Sequence, residues 1–226
     1  SRSHARSHEA IAETDGALGN GNGAIAALSR PLVIGIPRGG VETASVVARS
    51  LPADFDLIVS RKLGYPQNPE LAFGAIAENG GRYMRPEKSS FLTREIIESV
   101  EEIEHKELRR RIRVYRQGRP PVPLRGRFVI VVDDGIATGC TLFATLQSVR
   151  NQKPARIMVA APVAPPEMRS TLQSLVDDVV IPLTPHDFHA VSQIYEHFPG
   201  LSDKDVLRLV ESTDKTPRLE RTSQPG

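Results

Sequence analysis

The stretch FVIVVDDGIATGCT, Phe128–Thr141, decides the fold. Its first five residues are an apolar run, long enough for a strand buried on both faces. Two adjacent carboxylates, Asp133 and Asp134, follow at once. Gly135 and Gly139 then bracket Ile136, Ala137 and Thr138, and Cys140 and Thr141 open the next periodic segment. Glycines at these places permit backbone conformations closed to other residues. The N–H groups of 137–141, at the start of a helix, form an anion nest, to which Thr138 and Thr141 add hydroxyls. Carboxylates repel phosphate but accept from vicinal hydroxyls. A ligand satisfying both ends is a ribose 5-phosphate.

The pattern repeats upstream. Residues 32–36 (LVIGI) are a short apolar run stopped by Pro37-Arg38-Gly39-Gly40, a strand and a tight loop. Residues 42–51 have helical spacing, and 56–60 (DLIVS) read as a second strand, ending in Arg61-Lys62-Leu63-Gly64. Strand, helix and strand make a βαβ unit and hence a parallel sheet. Tyr65 to Pro69 reads as a proline-bearing loop, and 71–78 as a further strand. Residues 93–115 form a long charged helix, acidic first and basic last, which suits the helix dipole. Its RRRIR run reads as a solvated, salt-bridged face. Downstream, strands are expected at 128–132, 156–161 and 178–183, and helices at 142–149 and 167–175. The alternation predicts an α/β, doubly wound, mainly parallel sheet, with ligands at the carboxyl ends of the strands.

The 226 residues suffice for one domain. Residues 1–28 and 213–226 read as mobile tails around a domain at 29–212, and His4 and His8 as solvated tail residues rather than a metal pair. Net charge is +2 and charged residues are 25%, so no global field argues for nucleic acid. No run approaches the length of a membrane span. The single Cys140 excludes an intrachain disulfide and a zinc site of its own making. A reducing cytoplasm is the expected compartment, and a homodimer is compatible with the sequence.

VVDDGIATGCT resembles the phosphoribosyl-pyrophosphate (PRPP) signature of the type I phosphoribosyltransferases. Pro37-Arg38-Gly39-Gly40 resembles the family's diphosphate loop, and Arg61-Lys62 its basic pair after the second core strand. Segments RKLG and NPELA, and the closing TPHDFHAV at Thr184–Val191, extend the likeness from residue 31 to about 200, with the N-terminal tail outside it. The resemblance implies a type I phosphoribosyltransferase fold with a small hood at about 184–200. It implies PRPP bound with Mg²⁺, the metal held mainly by ligand oxygens with help from Asp133 and Asp134 and no dedicated protein cage. Those carboxylates would take the ribose hydroxyls, and residues 135–141 the 5-phosphate. The Arg38–Gly39 peptide, often cis in the family, would face the diphosphate, with Arg38 and Lys62 neutralising it as it departs. The Tyr65–Pro69 loop would be mobile and close over the sugar.

For the acceptor, the resemblance implies a nitrogenous base. Ala137 stands where hypoxanthine and guanine enzymes of the family carry an Asp, which argues against a 6-oxopurine. Glu70 and Glu78 are the candidate acceptor acids, and Phe188 and Tyr195 the candidate stacking residues, each with a surface or core role as its alternative. The rival function is a PRPP-sensing regulator without turnover. Retention of Arg38, Arg61 and Lys62 favours the enzyme. A response-regulator receiver also ends its first strand in VVDD, but it needs a phosphoacceptor Asp at the end of a later strand, and Asp177 and Asp178 here precede a strand.

Overall fold

The computed structural model describes residues 30–188 and 190–213. The expected tails therefore lie outside the described residues, apart from Thr213, which ends a helix.

Five strands form a parallel sheet: β1 (Leu32–Gly35), β2 (Asp54–Leu57), β6 (Phe128–Val132), β7 (Arg156–Ala160) and β8 (Asp178–Val180). Their order is β2-β1-β6-β7-β8. Helix α1 (Gly39–Ser50) connects β1 to β2, α4 (Cys140–Asn151) connects β6 to β7, and α5 (Pro166–Gln173) connects β7 to β8. The chain leaves β1 toward one edge and β6 toward the other. Their carboxyl ends, with Gly35 beside Val132, are the topological switch point. The period of two is clean in β1: Leu32 and Ile34 join the core shared with α4 and α5, and Val33 the opposite core with α1.

A second, antiparallel sheet is built from β3 (Ser60–Tyr65), β4 (Asn68–Ala77) and β5 (Gly81–Met84). This corrects the strand expected at 56–60. The parallel strand ends at Leu57, Ile58 makes one last bond from its N–H to the Gly35 carbonyl, and Ser60 already belongs to the hairpin. The segment 65–69 is likewise a hairpin corner rather than a free loop. Only Pro66 and Gln67 are outside the ladder, and the Tyr65 phenol donates to the Lys88 carbonyl at 2.5 Å. A short helix α2 (Pro86–Ser89) leads to α3 (Arg94–Arg116), which packs on β3 while α4 covers β4 and β5.

A last helix, α6 (Asp203–Thr213), buries Val206 and Val210 against α1 and α3. Ser202 caps it reciprocally: the Asp205 N–H donates to the Ser202 hydroxyl, and the Ser202 N–H to the Asp205 carboxylate. The buried Tyr115 phenol donates to Asp203 at 2.7 Å, joining α6 to α3. Among the described residues no helix is long and apolar enough to cross a membrane.

Candidate PRPP-binding site

Two turns leave the switch point side by side. The first, Ile36 to Gly40, enters α1. The second, Asp133 to Gly139, enters α4. The Ile36 N–H donates to the Val132 carbonyl at 3.1 Å, so the turns start from a common ladder. They approach so closely that only glycine fits. A Cβ on Gly40 would lie 2.7 Å from Asp133 Oδ1 and 2.9 Å from the Val132 carbonyl oxygen, and one on Gly39 would run into the Asp134 carboxylate. Each aspartate thus stands directly over one glycine of the neighbouring turn. The cis peptide joins Pro37 to Arg38, one bond earlier than the expected Arg38–Gly39.

The second turn is braced from below. Asp133 N–H donates to the Ala160 carbonyl, and Ile136 N–H to that of Val163. Gly139 sits at φ 71°, a conformation that favours glycine, and reverses the chain into α4. The N–H groups of Ala137, Thr138, Gly139, Cys140 and Thr141 find no acceptor among the described residues. Five such donors at the start of a helix are disposed to receive an anion. Thr138 is exposed and Thr141 half-buried, while Gly135, Ile136 and Cys140 are buried.

The carboxylates differ. Asp133 is buried, and Asp134 half-buried. The Asp134 N–H donates back to Asp133 Oδ1 at 3.0 Å. Burial first, then the neighbouring Asp134 charge, push the Asp133 carboxyl well above the usual aspartate range; the Lys62 charge works the other way. Lys62 therefore acts on the acidic pair although it comes from the antiparallel sheet. It makes no hydrogen bond or ion pair among the described residues.

Eight of the expected residues line two cavities. Pro37, Arg61, Lys62 and Thr141 line one of about 450 Å³. Arg38, Gly39, Asp134 and Tyr195 line another of about 520 Å³, which Phe198 also borders. The Tyr195 phenol donates to the Asp134 main-chain carbonyl at 2.6 Å, and its ring lies 5.1 Å from that of Phe198. Arg61 is not free: its Nε donates to Glu104 at 2.7 Å.

The acceptor candidates separate. Tyr195 reaches the site, whereas Phe188 is buried and lines neither cavity. Glu70 lies in β4 beside the hairpin corner, with its side chain outside the described structure. Glu78 is a structural carboxylate, which corrects its expected acceptor role. It accepts the Val59 N–H at 2.7 Å and pairs with Arg116 at 3.0 Å, beneath the junction of β2 and β3. Arg116 also bonds Asp56 at 3.1 Å and the Leu57 carbonyl at 2.9 Å. Burial pushes the Glu78 carboxyl up despite Arg116. Burial opposes the Arg116 charge too, but Asp56 and Glu78 outweigh it and hold the guanidinium above its ordinary value. Both shifts are upward, which favours the charged form of Arg116 and the neutral form of Glu78. Glu78 has a single cation, while Arg116 collects two carboxylates and a carbonyl. Sequence reading missed Arg116; nothing in the RRRIR run marks its neighbour as buried.

A family model described as the phosphoribosyl transferase domain matches residues 5–194, beginning earlier than the sequence likeness suggested. Two proteins of Mycobacterium tuberculosis, from strains CDC 1551 and H37Rv and named provisionally as phosphoribosyl transferases, are each 41% identical over 182 residues. That alignment covers 80% of this chain and 41% of theirs, so the chain spans about two fifths of the length of these relatives. The crystal structure of TT1426 from Thermus thermophilus is 38% identical, with a TM-score of 0.68 over 84% of this chain and 91% of that one. The family match over most of the chain and these identities agree: the chain belongs to the phosphoribosyl transferase domain family.

Proposed function

We propose that this domain binds PRPP with Mg²⁺ and transfers its ribose 5-phosphate group to a nitrogenous acceptor, releasing pyrophosphate. One observation carries the reading: five N–H donors without an acceptor among the described residues follow an acidic pair on a turn that touches the Pro37–Gly40 turn at the switch point. The 5-phosphate would occupy the N–H groups of 137–141 with Thr138 and Thr141. The ribose 2′- and 3′-hydroxyls would donate to Asp133 and Asp134. The diphosphate would lie along Arg38, Gly39 and Gly40, near Lys62.

In the transfer, the bond from the anomeric carbon to the diphosphate oxygen breaks, and its electron pair leaves on pyrophosphate. A nitrogen lone pair of the acceptor forms the new bond, and the acceptor's proton passes to solvent. Positive charge develops on the sugar between these events, where the two aspartates stabilise it electrostatically. Arg38 and Lys62 offset the charge of the departing group. Positioning supplies the rest.

Among the described residues no group of three or more His, Cys, Asp and Glu side chains could enclose a metal. Two adjacent carboxylates fit a cation that keeps most of its shell as water and ligand oxygens. Asp133 and Asp134 would hold Mg²⁺ in that manner, and its charge would neutralise the diphosphate.

The test is calorimetric titration with PRPP and Mg²⁺, then pyrophosphate release across a panel of purine and pyrimidine bases. Saturable PRPP binding and base-dependent release are expected. A chain that binds neither PRPP nor ribose 5-phosphate at millimolar concentration would falsify the assignment.

A further inference from the structure

The cavity beside Lys62 holds more than a diphosphate contact requires. It lies between the β3–β4 hairpin and α3, and Pro37 and Thr141 also line it. Three cationic side chains, Arg61, Lys62 and Arg111, line it against one carboxylate, Glu104. Both arginines are held by Nε alone: Arg61 on Glu104 at 2.7 Å, and Arg111 on Glu107 at 2.8 Å. Their terminal nitrogens make no hydrogen bond among the described residues. The Arg111 side chain is only 13% exposed, so this is no solvated surface cation. Ser60, also in the lining, is 3% exposed, and its buried hydroxyl has no hydrogen-bond partner among the described residues.

Unpaired donors in a desolvated place are costly, and native structures rarely keep them without a use. Two guanidinium groups fixed at Nε, with free terminal nitrogens, match the oxygens of a carboxylate or phosphate. The remaining wall is apolar. Val100 and Ile103 come from α3, and Tyr65 and two prolines from the hairpin. A volume of about 450 Å³ exceeds what an inorganic anion fills.

We propose that this cavity is a second ligand site, taking a small organic acid: a carboxylate or phosphate monoester carried on an apolar or aromatic body. The acid group sits against Arg61, Arg111 and the Ser60 hydroxyl, and the body lies along Val100 and Ile103 toward the rim. The site shares Lys62 and Thr141 with the proposed PRPP contacts, while Ser60, Arg61, Arg111, Val100 and Ile103 lie outside them, so either ligand can bind while the other fails.

The test titrates the full chain with 2-naphthoate, phenyl phosphate and the neutral 2-naphthamide, followed by NMR shifts and calorimetry. At least one acid should saturate, with the amide about tenfold weaker or worse, since it lacks the charge-assisted bonds. Ile103 is 61% exposed, so Ile103→Glu folds and places an acid at the rim. It should weaken the acid about fivefold or more by like-charge repulsion and leave PRPP affinity within about twofold. Ser60→Ala should weaken it about threefold, as for one lost hydrogen bond. Which acid binds tighter identifies the headgroup. The proposal is overturned if neither acid saturates by about 10 mM, a bound near −2.7 kcal/mol. An amide that binds equally well, or an unchanged Ile103→Glu affinity, overturns it too. So does strict competition with pyrophosphate, which would make the cavity an arm of the diphosphate site. Loss of PRPP binding with acid binding retained strikes the PRPP assignment alone.

Discussion

The Tyr195 phenol donates to the main-chain carbonyl of Asp134 at 2.6 Å, so the segment beyond the last strand is tied to the acidic pair and not merely laid over it. Burial and the Asp134 charge both push that phenol above its ordinary value, which keeps it a donor at any physiological pH. Tyr195→Phe keeps the ring against Phe198 and removes only the bond. A bond of this kind contributes about 0.5–1.5 kcal/mol. PRPP affinity should fall by about 3- to 10-fold, and amide exchange over 190–199 should rise. Unchanged exchange in the variant would show that the bond does not hold the segment.

The β2–β3 junction makes a separate prediction. Arg116→Met strands Glu78 and Asp56 without their cation in a buried place. Breaking such a cluster from one side costs roughly 3–5 kcal/mol. The denaturant midpoint should drop accordingly. Adding Glu78→Gln should recover part of the loss, because the stranded charge disappears. Equal midpoints for wild type and Arg116→Met would mean that the cluster is solvated in solution.

These two cases show what the sequence could and could not convey. The paired turns were legible because each follows an apolar run, and a buried strand can only end in an exposed loop. The acidic pair and the Gly135–Thr141 turn carry their chemistry in adjacent residues. The antiparallel sheet was not legible: SRKLGY mixes cations and glycine, and Ile58-Val59 continue the apolar run past the point where the strand changes sheets. Glu78 and Arg116 are 38 residues apart, and neither alone announces burial. Helix α6 did leave a signal, Ser202 three residues before Asp205 and then Val206 and Val210 at i, i+4 spacing, which the hood reading passed over.

Gly40 supplies a test whose sign is diagnostic. In an ordinary helix Gly→Ala stabilises by about 1 kcal/mol. Here the new Cβ would lie 2.7 Å from Asp133 Oδ1 and 2.9 Å from Asp133 Cα, so the turn must shift. Overpacking of this kind costs about 1–3 kcal/mol. Gly40→Ala should lower the melting temperature and weaken PRPP, while phosphate binding at 137–141 stays within about twofold. A stabilised variant with normal PRPP affinity would show that the turns do not meet as described.

Asp133 links stability, pH and binding. Its folded value lies well above the ordinary 3.8, because the carboxylate is buried beside Asp134. The fold therefore favours the protonated acid. That contribution is complete below the ordinary value and is lost as pH rises through the raised one. Above it, the ionised pair destabilises the empty protein. Asp133→Asn should accordingly raise the melting temperature at pH 8, and the gain should shrink toward pH 4. The Asp133→Asn/Asp134→Asn double variant removes both charged acceptors. Each such bond contributes roughly 1.5–3 kcal/mol, so PRPP affinity should fall at least about tenfold. Inorganic phosphate should bind as well or better, since negative charge beside the free N–H groups is gone. The expected result is thus a more stable protein that keeps phosphate and loses PRPP. A double variant with wild-type PRPP affinity would leave the aspartates no part in holding the ribose, and a destabilised one would show that the pair carries packing rather than function.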